Sequence, residues 1–85
     1  MAEVEVGIVK KFFAKPSVAA IEVKGEGIKV GDMLHFKGHT TDFSQQVASM
    51  QEENKAIDKA APGQLVGVQV KERVRENDIV YKVID

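Results

Sequence analysis

Short stretches in which apolar and polar residues alternate run along most of this chain, and most end at glycine, proline or asparagine. Alternation with a period of two places every second side chain on the same face of a β-strand. The predicted strands cover residues 4–8, 18–23, 33–37, 65–70 and 79–83. Several short strands with regularly spaced turns are typical of a small barrel or sandwich. The sequence therefore predicts an all-β domain.

The length and the cysteine content limit how such a domain is stabilised. The chain has 85 residues and no cysteine, which allows one compact domain over residues 1–85 without disulfides or cysteine-bound zinc. The apolar core alone is expected to hold the fold together.

Turn residues separate the predicted strands. The Lys-Pro-Ser sequence at 15–17 predicts a turn, and Gly25 and Gly27 can adopt positive φ, which favours a hairpin there. A second tight turn is expected at 31–32, before the strand in which Leu34 and Phe36 share a face. Asn77 is expected to adopt a left-handed conformation just before the last strand.

The segment 43–61 fits two structures. Its apolar residues include Phe43, Val47, Met50 and Ile57 at helical spacing, and Pro-Gly at 62–63 would end a helix. Asn54 interrupts that apolar stripe, however, so the local sequence leaves helix and strand both open.

The charge balance bears on the possible partners. Twelve Lys and Arg residues against thirteen Asp and Glu residues give a net charge of −1, whereas proteins that bind nucleic acid through charge alone usually have a large basic excess. Basic residues nevertheless group at 10–15 and 71–75, and the two groups would merge if the chain ends are neighbours. The sequence shows no signal segment and no membrane-spanning stretch, which predicts a cytoplasmic protein without a membrane partner.

Aromatic and basic side chains occur together near the start of the chain. This combination is typical of surfaces that stack and hold single-stranded nucleic acid, and adjacent phenylalanines on a strand point to opposite faces, so one is expected in the core. The candidate binding residues of this group are Lys10, Lys11, Phe12, Phe13 and Lys15.

A second candidate site is the polar loop after the third strand, with His39, Thr40, Thr41 and Asp42. The alternative is that Thr41 and Asp42 only cap a turn by bonding to their own backbone. The other histidine, His35, would lie about 13 Å from His39 along an extended chain, too far to share a metal ion. The sequence predicts no catalytic residues, no metal site and no cofactor.

Three blocks of sequence, in order, resemble the second, β-barrel domain of translational GTPases such as elongation factor Tu. They are Ile-Lys-Val-Gly-Asp with the following strand at 28–36, the run from Ala48 through Pro-Gly-Gln-Leu-Val-Gly at 62–67, and the closing segment 74–80. The resemblance implies a closed six- or seven-stranded antiparallel barrel, with a strand at 46–51 and at most one helical turn at 58–61. No Gly-x-x-x-x-Gly-Lys-Ser/Thr phosphate loop occurs, so GTP binding and a GTPase domain are not expected.

The resemblance implies a non-enzymatic binding module that contacts RNA, a tRNA end or a ribosome-associated protein. Similar barrels also occur as C-terminal appendages of collagenase-like peptidases, some relatives of which act in tRNA modification. The alternative is therefore a protein-interaction barrel that docks onto a larger enzyme of that kind.

Overall fold

The computed structural model describes residues 2–84, and its regular structure consists of β-strands. Within these residues no helix occurs, and none is therefore long and apolar enough to cross a membrane. The all-β prediction is confirmed. The strands are β1 (Ala2–Phe13), β2 (Val18–Val23), β3 (Ile28–Lys29), β4 (Met33–Lys37), β5 (Asp42–Gln46), β6 (Met50–Glu52), β7 (Lys55–Ile57), β8 (Lys59–Ala60), β9 (Leu65–Gln69) and β10 (Ile79–Ile84).

Eight strands form one antiparallel sheet in the order β5-β4-β10-β1-β2-β9-β6-β7, and β3 pairs with β8 in a separate two-stranded sheet. Because β5 and β7 are the two ends of the large sheet and do not pair with each other, its backbone hydrogen bonds do not form a closed ring among the described residues. The prediction of a closed six- or seven-stranded barrel is therefore wrong in both strand number and closure.

At the β5 edge of the large sheet, a side chain forms hydrogen bonds in place of a neighbouring strand. Gln45 in β5 donates from Nε2 to the carbonyl of Gln69 at 2.8 Å, and its Oε1 accepts the amide proton of Lys71 at 2.7 Å. The side-chain amide carries one donor group and one acceptor, as a peptide unit does, so it can bond to a strand as another backbone would. Gln45 thus links β5 to the end of β9.

The core lies on the inner face of the large sheet. Leu34 and Phe36 are both fully buried, as their shared face predicts, and the rings of Phe36 and Phe43 stack with centroids 5.0 Å apart. The remaining fully buried large side chains are mostly valines of the central strands. Val80, Val66 and Val68 belong to this group.

Strand β1 is longer than expected and contains two irregularities. The pairing register shifts between Glu5 and Gly7 against β10, and between Val9 and Lys11 against β2. Each shift adds one residue to β1 and changes which side chains face inward. Val9 is fully buried and Ile8 only half-buried, so the simple alternation predicted for residues 4–8 ends at the first shift.

The middle segment is extended, as the resemblance implied, but its boundaries differ. The expected strand at 46–51 is replaced by the end of β5, an irregular stretch, and β6. The expected helical turn at 58–61 is wrong, because β8 lies there and pairs with β3. Glu53 and Asn54 have φ angles of 50° and 65°. Two successive left-handed residues are incompatible with a right-handed helix, and here they form the turn that reverses the chain from β6 into β7.

The turn predictions are mixed. Gly25 and Gly27 have φ angles of 61° and 84°, and Asn77 has a φ of 73°, which confirms the expected left-handed conformations. The hairpin expected around Gly25 is wrong, since β2 pairs with β1 and β9 while β3 pairs with β8. The chain turns there but leaves the large sheet.

Candidate functional site

An apolar groove of about 460 Å³ lies on the outer side of β2, β9 and β6. Phe13 and Leu65 both line it with 44% and 55% of their surface exposed, so two large exposed apolar side chains share one patch. We call this the apolar groove. Its lining comprises Phe13, Pro16, Val18, Ala20, Gln51, Glu53, Asn54, Leu65, Val66 and Gly67.

Small residues of neighbouring strands form the floor of the apolar groove. Ala20 in β2 pairs with Gly67 in β9, and Gly67 also pairs with Gln51 in β6. A Cβ atom on residue 67 would lie 3.1 Å from Cγ1 of Val18, so the glycine keeps the floor low between larger neighbours.

A second groove is of a different kind. It holds about 530 Å³ beside the β3–β8 sheet. In it, Nζ of Lys82 lies 3.6 Å from the mostly buried carboxylate of Asp32 and 3.8 Å from that of Glu26. Asp32 also accepts the amide proton of Lys29 at 2.9 Å. Because these charged groups already bond to one another, this groove offers a ligand less than its volume suggests.

The structure divides the predicted aromatic and basic residues among several places. Phe12 packs against the core while Phe13 is exposed, which confirms that the two rings face opposite ways. Nζ of Lys11 lies 5.2 Å from the centre of the Phe13 ring. Lys10 instead pairs with Glu22 at 3.6 Å, and Lys15 is exposed in the turn after β1.

Lys11 also reaches the second basic group of the sequence. A groove of about 410 Å³ lies between the end of β1 and the segment that precedes β10. The two basic groups therefore meet in part, although Lys71 lines a different groove near Gln45. We call the groove between the end of β1 and the segment before β10 the basic groove. It is lined by Lys11, Phe12, Arg73, Val74, Arg75 and Glu76.

The polar loop residues do not form one cluster. Thr41 is buried, and its carbonyl accepts the amide proton of Gly38 at 2.7 Å. Thr40 Oγ1 accepts a proton from Nε of Arg75 at 2.9 Å, while His39 is exposed. Asp42 is the first residue of β5, and its carboxylate bonds to His35 rather than to its own backbone.

His35, which was considered above only as a metal ligand together with His39, bonds instead to two carboxylates. Its Nε2 lies 2.5 Å from Oδ1 of Asp42, its Nδ1 lies 2.9 Å from Oε2 of Glu3, and its ring lies 6.2 Å from that of Tyr81. The hydrogen bond to Asp42 is the largest cause of a raised His35 pKa, and the same bond lowers the pKa of Asp42. Both ring nitrogens donate when the ring is protonated. We call Glu3, His35 and Asp42 the ionic cluster.

The pairing of β4 with β5 could have revealed half of this cluster. Lys37 is opposite Asp42 in that hairpin, and His35 lies two residues earlier on the same face, so a correct hairpin register predicts a diagonal neighbour. Glu3 belongs to β1, beyond β10, and no local sequence signal places it beside His35.

Two solved structures share this fold. Crystal structures of the C-terminal domain of a protein described as a U32 peptidase from Geobacillus thermoleovorans superpose with TM-scores of 0.87 and, for the selenomethionine variant, 0.84. They cover 94% and 91% of this chain and are 22% and 21% identical to it. At that identity the likeness concerns the fold.

Sequence relatives are much longer than this chain. It is 40% identical over 80 residues to an uncharacterized protease of Methanocaldococcus jannaschii and 33% identical over 73 residues to a collagenase of Porphyromonas gingivalis. The matches cover 93% and 85% of this chain but only 19% and 20% of those proteins. The chain therefore spans about a fifth of the length of these curated relatives.

These matches contradict the assignment of the chain to the second domain of translational GTPases. The sequence fits the peptidase family U32 C-terminal domain over residues 4–80, a range that contains all three blocks on which the translation-factor interpretation was based. That interpretation is wrong because patterns of apolar strand, turn and apolar strand recur throughout small β proteins. This chain belongs to the family of U32 peptidase C-terminal domains.

Proposed function

We propose that this chain is a non-catalytic docking module that uses its apolar groove to bind the catalytic part of a U32 peptidase. The observation that carries the proposal is the pair of exposed large side chains, Phe13 and Leu65, on either side of a floor of small residues. Burying such side chains contributes about 25 cal/mol per Å² of apolar surface removed from water. This uncovered apolar surface supports the proposal that a partner buries it.

The family supports the choice of partner. The relatives named as a protease and a collagenase have about four-fifths of their length outside the part that matches this chain. A module that is one part of a longer peptidase has the remainder of that peptidase as its nearest available surface. We therefore place the catalytic machinery in the remainder and the docking contact in the apolar groove.

The chemistry of the groove supports binding rather than catalysis. Its walls and floor are mainly apolar, and its polar members, Gln51, Glu53 and Asn54, belong to β6 and the β6–β7 turn. A large side chain from a partner would fill the space between Phe13 and Leu65, as anchor residues do at the centres of protein interfaces. We expect the chain alone to leave gelatin intact, and cleavage of gelatin by the chain would contradict the proposal.

Calorimetric titration tests the docking contact directly. The partner is the catalytic part of a U32 peptidase from the same genome, expressed without its own C-terminal domain. We expect Leu65→Ser and Phe13→Ser each to weaken binding by at least about tenfold, because each removes one apolar side of the groove that would contact a partner side chain between them.

Met33→Ser is the matched control, since Met33 is 42% exposed but does not line the groove. It is expected to bind as the unchanged chain does. Absence of binding by the unchanged chain, or equal weakening by Met33→Ser and Leu65→Ser, would overturn the proposal. Melting curves of all variants verify that each is folded.

A further inference from the structure

Basic side chains that are distant in sequence lie together in the basic groove. Lys11 comes from β1, whereas Arg73 and Arg75 come from the segment before β10. Among residues 2–84, the ion pairs include Lys10, Lys24 and Lys82 but none of these three cations. Glu76 is the one carboxylate that lines the groove. The groove thus has a net charge of about two positive units, three cations less one anion.

Arg75 is held in a fixed position within this groove. Its Nε donates to Oγ1 of Thr40 at 2.9 Å, and its backbone amide donates to the buried carboxylate of Asp78 at 2.9 Å. A guanidinium group has five N–H donors, so the bond from Nε leaves the four on the two terminal nitrogens. These terminal donors match the two oxygens of a carboxylate in a bidentate pair.

The groove also offers an apolar surface beside the charges. The half-buried Phe12 supplies this surface, because Val74, which also lines the groove, is only 1% exposed. A glutamate side chain has two methylene groups below its carboxylate, which such a surface can accommodate.

We propose that the basic groove binds an acidic segment of a polypeptide, with a carboxylate paired to Arg75 and others near Lys11 and Arg73. This second binding surface does not depend on the docking role of the apolar groove. The size and charge of the groove favour a short acidic peptide over nucleic acid. A net charge of about two suits a few carboxylates, whereas a phosphate backbone requires a longer basic track, and the whole chain has a net charge of −1.

NMR titration of the full chain with an acetylated, amidated hexaglutamate peptide tests this proposal. We expect shift changes at the amides of Lys11, Arg73 and Arg75, with weaker binding as salt is raised from about 20 mM to about 150 mM. Arg75→Gln is expected to lower the affinity at least about tenfold, since it removes the bidentate partner. Thr40→Val is expected to lower the affinity less, because it releases the guanidinium without removing it.

Lys59→Gln is the matched control, because Lys59 also has no ion pair within residues 2–84 and lies outside the basic groove. It is expected to bind the peptide within about twofold of the unchanged chain. The proposal is overturned if hexaglutamate does not bind, if Lys59→Gln weakens binding as much as Arg75→Gln, or if an oligothymidylate of equal charge binds as tightly as the peptide.

Discussion

The ionic cluster and the apolar groove both lie on outer surfaces of the large sheet, but only the ionic cluster finds its bonding partners within the chain. In the ionic cluster, each nitrogen of His35 faces a carboxylate of the same chain, Asp42 on one side and Glu3 on the other. In the apolar groove, Phe13 and Leu65 remain in water. A polar cluster that satisfies its own hydrogen bonds needs no partner, whereas exposed apolar surface gains free energy when a partner covers it. The contrast indicates where an interaction is expected.

The largest expected effect compares Gly38, in the loop beside the ionic cluster, with Gly67 in the floor of the apolar groove. A Cβ on residue 38 would lie only 1.9 Å from Oδ1 of the buried Asp78, but on residue 67 it would lie 3.1 Å from a methyl group of Val18. We expect Gly38→Ala to lower the free energy of unfolding by about 3 kcal/mol, and Gly67→Ala by under about 1 kcal/mol. Urea denaturation measures both. Equal losses would show that the loop beside the ionic cluster is no more constrained than the groove floor.

A glutamine pair gives the next largest effect. Gln45 bonds to backbone groups of Gln69 and Lys71, so Gln45→Ala is expected to lower the free energy of unfolding by about 1 kcal/mol. Gln51 lines the apolar groove and is exposed, and Gln51→Ala is expected to change it by under about 0.5 kcal/mol. Denaturation of the two variants in parallel tests the difference. If Gln45→Ala leaves the free energy of unfolding unchanged, other contacts hold the β5 edge.

The ionic cluster is expected to stabilise the fold only at lower pH. Because its hydrogen bond to Asp42 raises the pKa of His35 above 6.5, the folded chain binds this proton more tightly than the unfolded chain. The stabilisation is full between the unfolded pKa of Asp42, 3.8, and that of His35, 6.5. It is lost as pH rises through the raised pKa of His35 and as pH falls through the lowered pKa of Asp42.

We expect His35→Gln, which retains hydrogen bonding but not the charge, to lower the melting temperature by about 2–4 °C at pH 5.5 and hardly at all near pH 9. Melting curves at the two pH values measure this difference. A deficit of the same size at both would show that the imidazolium charge contributes nothing.

The smallest expected effect concerns the folding role of the apolar groove. Leu65 is 55% exposed, so Leu65→Ser is expected to change the free energy of unfolding by under about 0.5 kcal/mol. The measurement is a urea melt beside that of the unchanged chain. A loss above about 1 kcal/mol would mean that Leu65 stabilises the fold. Its exposure would then no longer support a role of the groove in binding a partner.

The strands with strong alternation were predictable from the sequence, and the pairing between strands was not. Residues 18–23, 33–37 and 65–69 are strands as expected, because β-branched and apolar residues at every second position favour that conformation. The neighbours of β3 depend instead on contacts between Ile28 and Ala60, which are far apart in sequence. Long-range pairing of this kind leaves no local signal.

The candidate sites were predictable to a similar extent. The opposite orientation of Phe12 and Phe13 follows from strand geometry alone, and it placed one aromatic ring outside. The groove beside Phe13 also requires Leu65 and the small floor residues, which the sheet brings together from β2 and β9. Likewise, Lys11 and Arg75 line the same groove only because the fold brings these two distant parts of the sequence together.

The two register shifts in β1 have a consequence for how chains of this fold can change length. A single inserted or deleted residue in a regular strand exchanges its inner and outer faces, which would bury lysines and expose valines. Where the ladder is already offset around Val6 and Lys10, one residue more or less can be absorbed locally. Among descendants of a common ancestor, gaps in the alignment of the first strand are therefore expected at these two points and seldom between them.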